Sequence, residues 1–227
     1  MKKYILLIVI FFSLNFQAIS HVQHYDKFNY LEYELFRNNQ LIGYHKYNFL
    51  RDGDNLSIAS EVSFKIKKLG VDLYKYFAKS EENYKKGVFK SYTSKTKQNK
   101  KDRYVNIEFN PTDDNLIIDG SSYKGKASKD FIVGTWWNHE IIKAKAQISG
   151  ISGRIIDQTV TFLGKEEIKI GDKTYKTLHF NFKSSDETLP DSKKLNTDIW
   201  YEEETYLWVK AAFEKTGYWE YRIKTYK

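Results

Sequence analysis

From Asn29 onward, apolar and polar side chains alternate with a period of two, and this pattern constrains the chain most, because such a sequence buries one continuous face only as β-strands. The clearest run is Leu56 to Ile66. Leu56, Ile58, Val62, Phe64 and Ile66 fall on one face with Ser60 among them, while Ser57, Glu61, Ser63, Lys65 and Lys67 fall on the other. One face meets a core and the other meets water. Upstream, Leu31, Tyr33 and Leu35 lead into Asn38-Asn39-Gln40, and the next run ends at Asp52-Gly53-Asp54. Both breaks predict hairpin turns, since Asn, Asp and Gly tolerate positive φ.

The alternation continues through Val71 to Tyr84, Val88 to Lys95, Arg103 to Phe109 and Leu116 to Ile118, punctuated by Gly70, Gly87, Asp113-Asp114 and Asp119-Gly120. Strands joined by such short turns pair with their neighbours, so the pattern predicts an antiparallel meander. Thr135 to Ile148 departs from it: Trp136, Trp137, Ile141, Ile142 and Ala144 recur at spacings closer to a helix, with Thr135 or Asn138 as cap. One short helix near residues 135–148 is expected. Strands then resume around the Gly171-Asp172 turn, and a second meander closes the chain from Asp198 to Tyr226. The fold class is therefore all-β: a strongly curved antiparallel sheet or an open or closed barrel, with a two-sheet sandwich as the alternative.

The N-terminal segment has a different logic. Lys2 and Lys3, the apolar run from Tyr4 to Phe16 and the ending Ala18-Ile19-Ser20 have the three regions of a secretory leader, with cleavage expected after Ser20. The domain plan is thus a leader over 1–20 and a single β domain over 21–227, located in the periplasm or secreted. The sequence has no cysteine. That rules out disulfides, a thiol nucleophile, thiolate metal sites and a lipid-modified N-terminal cysteine, so the core must hold the fold. The formal net charge of +8 is carried mainly by lysine. Lysine without arginine forks or a recognised motif gives no expectation of nucleic-acid binding; peripheral attraction to anionic lipid or envelope polymer fits it better.

Ile42-Gly43-Tyr44-His45, Arg51-Asp52-Gly53-Asp54, Lys68-Leu69-Gly70, Trp137-Asn138, Asp198-Ile199-Trp200-Tyr201 and Trp208-Val209-Lys210 together resemble, in this order, a family of uncharacterised secreted bacterial proteins defined by a domain of unknown function. The resemblance implies export and an all-β fold, and brings no activity, cofactor or catalytic residue. At the level of fold alone, a secreted antiparallel sheet with an apolar concave face also resembles the periplasmic lipoprotein carriers.

Aromatic residues make up 17% of the chain, and an inward-curved aromatic sheet can enclose an apolar ligand. Tyr74, Tyr76, Phe77, Trp136, Trp137, Trp200, Trp208 and Trp219 are the candidate lining, against the plainer reading that most of them are simply core. Adjacent rings at Trp136-Trp137 cannot point the same way, so one of them is free to cover a barrel mouth. Among the histidines, His45 shares a face with Tyr47 and Phe49, and His179 alternates away from Phe180. His139-Glu140 begins like a zinc-protease helix but has Lys143 where the second histidine belongs. Cleavage after Ser20 would expose the amine and imidazole of His21, which with His24 or His45 forms a candidate copper chelate. Asp198 beside Trp200 suggests a sugar-binding surface.

These features give a leading expectation of an exported, non-enzymatic, cofactor-free protein that binds an apolar or amphipathic envelope molecule, lipid first. The alternatives are a secreted enzyme or copper-binding protein, supported if His45, His139, His179 and Asp198 cluster, and a structural or interaction protein of the envelope.

Overall fold

The computed structural model describes residues 25–227. The leader, its cleavage point, His21 and His24 lie outside the described residues. Fifteen strands follow in chain order: β1 (Tyr30–Arg37), β2 (Gln40–Asp52), β3 (Asn55–Lys68), β4 (Val71–Lys85), β5 (Val88–Gln98), β6 (Lys101–Asn110), β7 (Asn115–Gly120), β8 (Lys124–Ser128), β9 (Ile132–Val133), β10 (Ala146–Ile148), β11 (Ile155–Ile170), β12 (Lys173–Ser184), β13 (Asn196–Glu202), β14 (Trp208–Glu214) and β15 (Tyr218–Tyr226). They form one sheet in the order β8 to β1, then β15 down to β9. Two meanders therefore meet at the antiparallel β1–β15 pair, and among the described residues the one parallel pairing is β9 with β10.

The turn residues explain the meanders. Asn38 and Asn39 sit at φ 48° and 61°, and Gly53, Gly87 and Gly171 also take positive φ, which supplies the twist that short hairpins need. Along β3, the face carrying Leu56, Ile58, Ser60, Val62, Phe64 and Ile66 points inward, as the alternation predicts.

Curvature follows from connectivity. β8 and β9 are the two edges of the sheet, yet only residues 129–131 separate them. Four peptide units reach about 14 Å at most, so the edges must come together and the sheet must curl. The backbone ladder does not close. Instead the edges meet through loops: Ser122 N donates to Ser152 O at 2.8 Å, and a Cβ built on Gly120 would lie 2.5 Å from Ser152 O. Glycine at 120 is thus what lets the seam close.

The helix expected near 135–148 is a single 3-10 turn, His139–Lys143, capped by Asn138, whose side chain accepts from Glu140 N. The apolar spacing there comes from a segment pressed into the barrel interior, where packing on several sides mimics helical periodicity without room for a full helix.

Candidate functional site

At mid-height the register places His45 opposite Val62, Val62 opposite Ala78, and Ala78 opposite Thr96; one step further along, Tyr47, Ser60, Ser80 and Ser94 form the parallel row. Directly paired residues share a face, so β3, β4 and β5 present small or short side chains to the interior. The opposite wall is heavy. Tyr33 stacks on Trp208 with centroids 4.0 Å apart, and Trp208 also packs edge-on against Trp136 and Tyr47. The mismatch leaves a cavity of about 290 Å³ between the walls, bordered by His45, Tyr76, Ala78, Trp136, Gln147 and Tyr221.

The crossing segment, residues 129–154, runs from β8 through the short strands β9 and β10 to β11 and forms the remaining side. A buried irregular backbone needs donors for its carbonyls. Tyr47 donates its hydroxyl to Thr135 O at 2.7 Å, Tyr201 to Trp136 O at 2.9 Å and Tyr92 to Gly150 O at 3.0 Å, and Ser94 Oγ also donates to Gly150 O at 2.6 Å. Trp136 itself adopts φ 57°, and Trp137 N closes a three-residue turn onto Thr135 O at 2.7 Å. A bulky residue in the left-handed region is costly unless its surroundings enforce it. The result sends the two indoles apart: Trp136 meets Trp208 and Tyr221, whereas Trp137 packs on Tyr25, Phe49 and Tyr84.

Two titratable groups stand out. The His45 ring retains accessible surface because it borders the cavity, yet protein surrounds it closely enough that desolvation pulls its pKa from 6.5 down to about 3. Its Nε2 lies 3.0 Å from Ser60 Oγ, and its Nδ1 has no partner among the protein's groups. Trp136 Nε1 is unpartnered in the same way. Glu82 is buried behind Trp137, and desolvation pushes its carboxyl from 4.5 up to about 7. Tyr84 OH at 2.5 Å and Trp137 Nε1 at 3.0 Å donate to it, and these bonds partly offset the burial.

The candidate lining residues separate accordingly. Tyr76 and Trp136 border the cavity. Tyr74 stacks on Phe64, and Trp219 packs against Phe64 and Phe213, so these rings close the interior towards the β3–β4 turn. Trp137 and Trp208 are fully enclosed core.

Phe77 and Trp200 are corrections. Phe77 is half-exposed on the outer face of β4, because it alternates with the inward Tyr76 and Ala78. Trp200 likewise alternates with the inward Ile199 and Tyr201. It is buried from outside the barrel, by His179 stacked at 4.2 Å and by Lys210 at 4.7 Å over its ring, and it donates to Glu166 Oε1 at 2.5 Å.

His179 is bracketed by Glu166 at 2.8 Å and Asp198 at 3.1 Å. Two members of the expected enzyme constellation therefore meet on the outer wall, while His45 is inside and His139 stacks on Tyr206. Because His179 and Lys210 both cover Trp200, that indole has no free face for a sugar. Among the described residues no group of three or more His, Asp or Glu is arranged to hold a metal ion. Sequence reasoning missed Tyr47, Tyr92, Tyr201, Tyr221 and Glu82, whose roles depend on the crossing segment, although their inward parity was readable from the alternation.

The fold and interior define a β-barrel-like protein with an open ladder, loop-closed edges and a small internal cavity. The chain belongs to the family described as "Domain of unknown function (DUF6134)", which matches residues 33–224. Its fold is similar to that of a solved beta-barrel-like protein of domain of unknown function DUF1849 from Brucella abortus, with a TM-score of 0.58, 9% identity and coverage of 87% of this chain and 96% of that one. At that identity the likeness concerns the fold alone. No protein of curated function matches the chain. The resemblance to an uncharacterised family and the all-β expectation are both borne out.

Proposed function

We propose that this chain is an exported, non-enzymatic protein that holds one small, uncharged amphipathic molecule inside its barrel. The observation that carries the reading is the cavity of about 290 Å³, bordered by rings and by His45 and Trp136, whose Nδ1 and Nε1 atoms are buried without a protein partner. Buried polar groups are nearly always satisfied, and each one left unmatched costs about 1–3 kcal/mol. A ligand with a hydroxyl or carbonyl would accept from the Trp136 indole, and its apolar body would meet Tyr76, Val62, Ala78 and Phe213. A site that keeps His45 neutral down to about pH 3 also disfavours a charged ligand. The volume lies near the lower end of ligand pockets, about 300–1,000 Å³, which suits a small lipid-like molecule or the uncharged end of a larger one.

Export rests on the sequence of residues 1–20; N-terminal sequencing of protein recovered from its host should start at His21. Native mass spectrometry of that protein tests the cavity. A bound mass released by organic solvent, and absent from Ala78→Leu, supports the reading. The bare polypeptide mass from both proteins would reject it.

A further inference from the structure

The end of the barrel that carries the β3–β4 turn has a second, separate character. Residues 65–79 hold five lysines and one carboxylate, and the neighbouring residues 95–103 hold five cations and one carboxylate. Ten cations against two carboxylates give +8; Lys79 and Lys95 lie at mid-height, where Lys79 pairs with Glu61 at 3.3 Å, so the hairpin end itself carries eight cations against two carboxylates, +6. Register explains the concentration: β4 pairs with β5 from Tyr76↔Gln98 to Lys85↔Val88, which sets the β3–β4 and β5–β6 turns at the same end. Asp72 is paired with Lys75 at 2.9 Å and approached by Lys67 at 3.9 Å, which leaves Lys65 and Lys68 beside it without a nearby carboxylate partner on the hairpin.

Exposed apolar side chains sit within this charge. Leu69 is 96% exposed, Val71 62% and Leu73 55%, with half-exposed Phe77 in line with the last two on the outer face of β4. The turn chemistry is as unusual as the exposure. Other exposed residues with positive φ are Asn38, Asn39, Lys86, Asn99, Asp114, Thr216 and glycines, whereas here the left-handed position is held by Leu69 at φ 50°. An aliphatic residue there gains nothing for the turn or the core. Between the hairpin end and the barrel midline, Phe77, Lys79, Lys95, Lys97 and Arg103 border an outer depression of about 580 Å³.

We propose that this hairpin end docks onto an anionic lipid bilayer, with Leu69, Val71 and Leu73 entering the interface and the surrounding lysines lying at the headgroups. Lipid accounts for both halves of the surface, since anionic headgroups draw the cations and the acyl boundary takes the side chains. A soluble polyanion would leave the aliphatic residues unused. A second copy of the chain would bring two surfaces of net +6 together, which is unfavourable. β3 and β4 are also central strands, so the exposed residues are not an artefact of an unpaired sheet edge. Docking does not depend on the cavity, and Ala78→Leu leaves it unchanged.

Flotation of the purified mature chain with vesicles of phosphatidylglycerol and phosphatidylcholine in equal parts, and with phosphatidylcholine alone, tests the proposal. The chain should float with the anionic vesicles, weaken with added salt and stay behind with the neutral ones. Replacing Lys65, Lys67 and Lys68 together by Gln should lower partitioning roughly 100-fold, at about fivefold per lysine. L69S/V71S/L73S, three substitutions at exposed positions that should leave the denaturation midpoint in place, should lower it roughly tenfold or more. Absence of flotation at low salt overturns the proposal. So does flotation indifferent to the serine variant, which would make the surface a charge-only site, and so does sedimentation as a dimer that this variant dissociates.

Discussion

Across the interior, Tyr33 lies in register with His45 and Val62, and the ring cluster it forms with Trp208 and Tyr221 faces the stretch of β3, β4 and β5 that presents Ser60, Val62, Ala78, Ser80, Ser94 and Thr96. Both walls obey the same alternation. On the first, Tyr33 packs on Trp208 and Trp208 on Tyr221, with Ile223 and Ala211 filling the positions paired with the tyrosines, so the wall is core. On the second, the inward positions stop at one to three heavy atoms, and the crossing segment with Trp136 fills only part of the space left. The contrast teaches that inward-facing and core-forming are different properties: parity sets the first, and the volume on the facing wall sets the second.

Truncation separates the walls most sharply. Trp208→Ala should cost about 3–5 kcal/mol in urea denaturation, because the void is bounded by Tyr33, Tyr47 and Trp136, which are themselves held by other contacts. A cost below about 1 kcal/mol would remove the distinction between the walls.

The titratable groups on the two sides of the crossing segment should respond to pH with opposite signs. Folded Glu82, raised from 4.5 to about 7, keeps a proton that the unfolded chain has lost, so its contribution falls as pH rises, by about 2–3 kcal/mol between about pH 5 and 8. His45, lowered from 6.5 to about 3, is protonated first in the unfolded chain, so its contribution falls by about 2 kcal/mol as pH drops from about 7 to 5. The two offset each other in the parent. Relative to the parent, Glu82→Gln should gain stability towards alkaline pH, and His45→Gln should gain it towards acid pH. Denaturation midpoints measured across that range check both slopes, and a shared sign would refute the assignment.

The outer wall should matter less. His179→Ala removes a half-buried pairing with Glu166 and Asp198 and uncovers one face of Trp200, for about 1 kcal/mol. Smallest of all is Ala78→Leu. The added atoms enter existing space, so the midpoint should hold within about 1 kcal/mol while any bound molecule is lost. A large destabilisation there would show that the light wall is tightly packed after all.

Much of the fold is legible in the sequence. The run Leu56 to Ile66 reveals its buried face, and Asn38-Asn39, Gly53 and Gly171 mark turns that the structure contains. The candidate site is less legible. Aromatic character alone suggests Phe77 and Trp200 as lining, although their neighbours Tyr76 and Tyr201 hold the inward parity. The 135–148 segment misled for another reason. Its helical spacing reports burial on several sides, and nothing local records that Tyr47, Tyr92 and Tyr201 would arrive from distant strands to satisfy its backbone.

By itself the sequence determined the strands, their inward and outward faces and the absence of any cysteine crosslink, because a two-residue period and turn chemistry act over a few neighbouring residues. The tertiary structure decided that the sheet curls until its edges meet, that Gly120 and Ser152 form the seam, and that small side chains from three strands face an indole held at positive φ. Those outcomes depend on which distant positions share a height and a volume inside the barrel, and no local pattern carries that information.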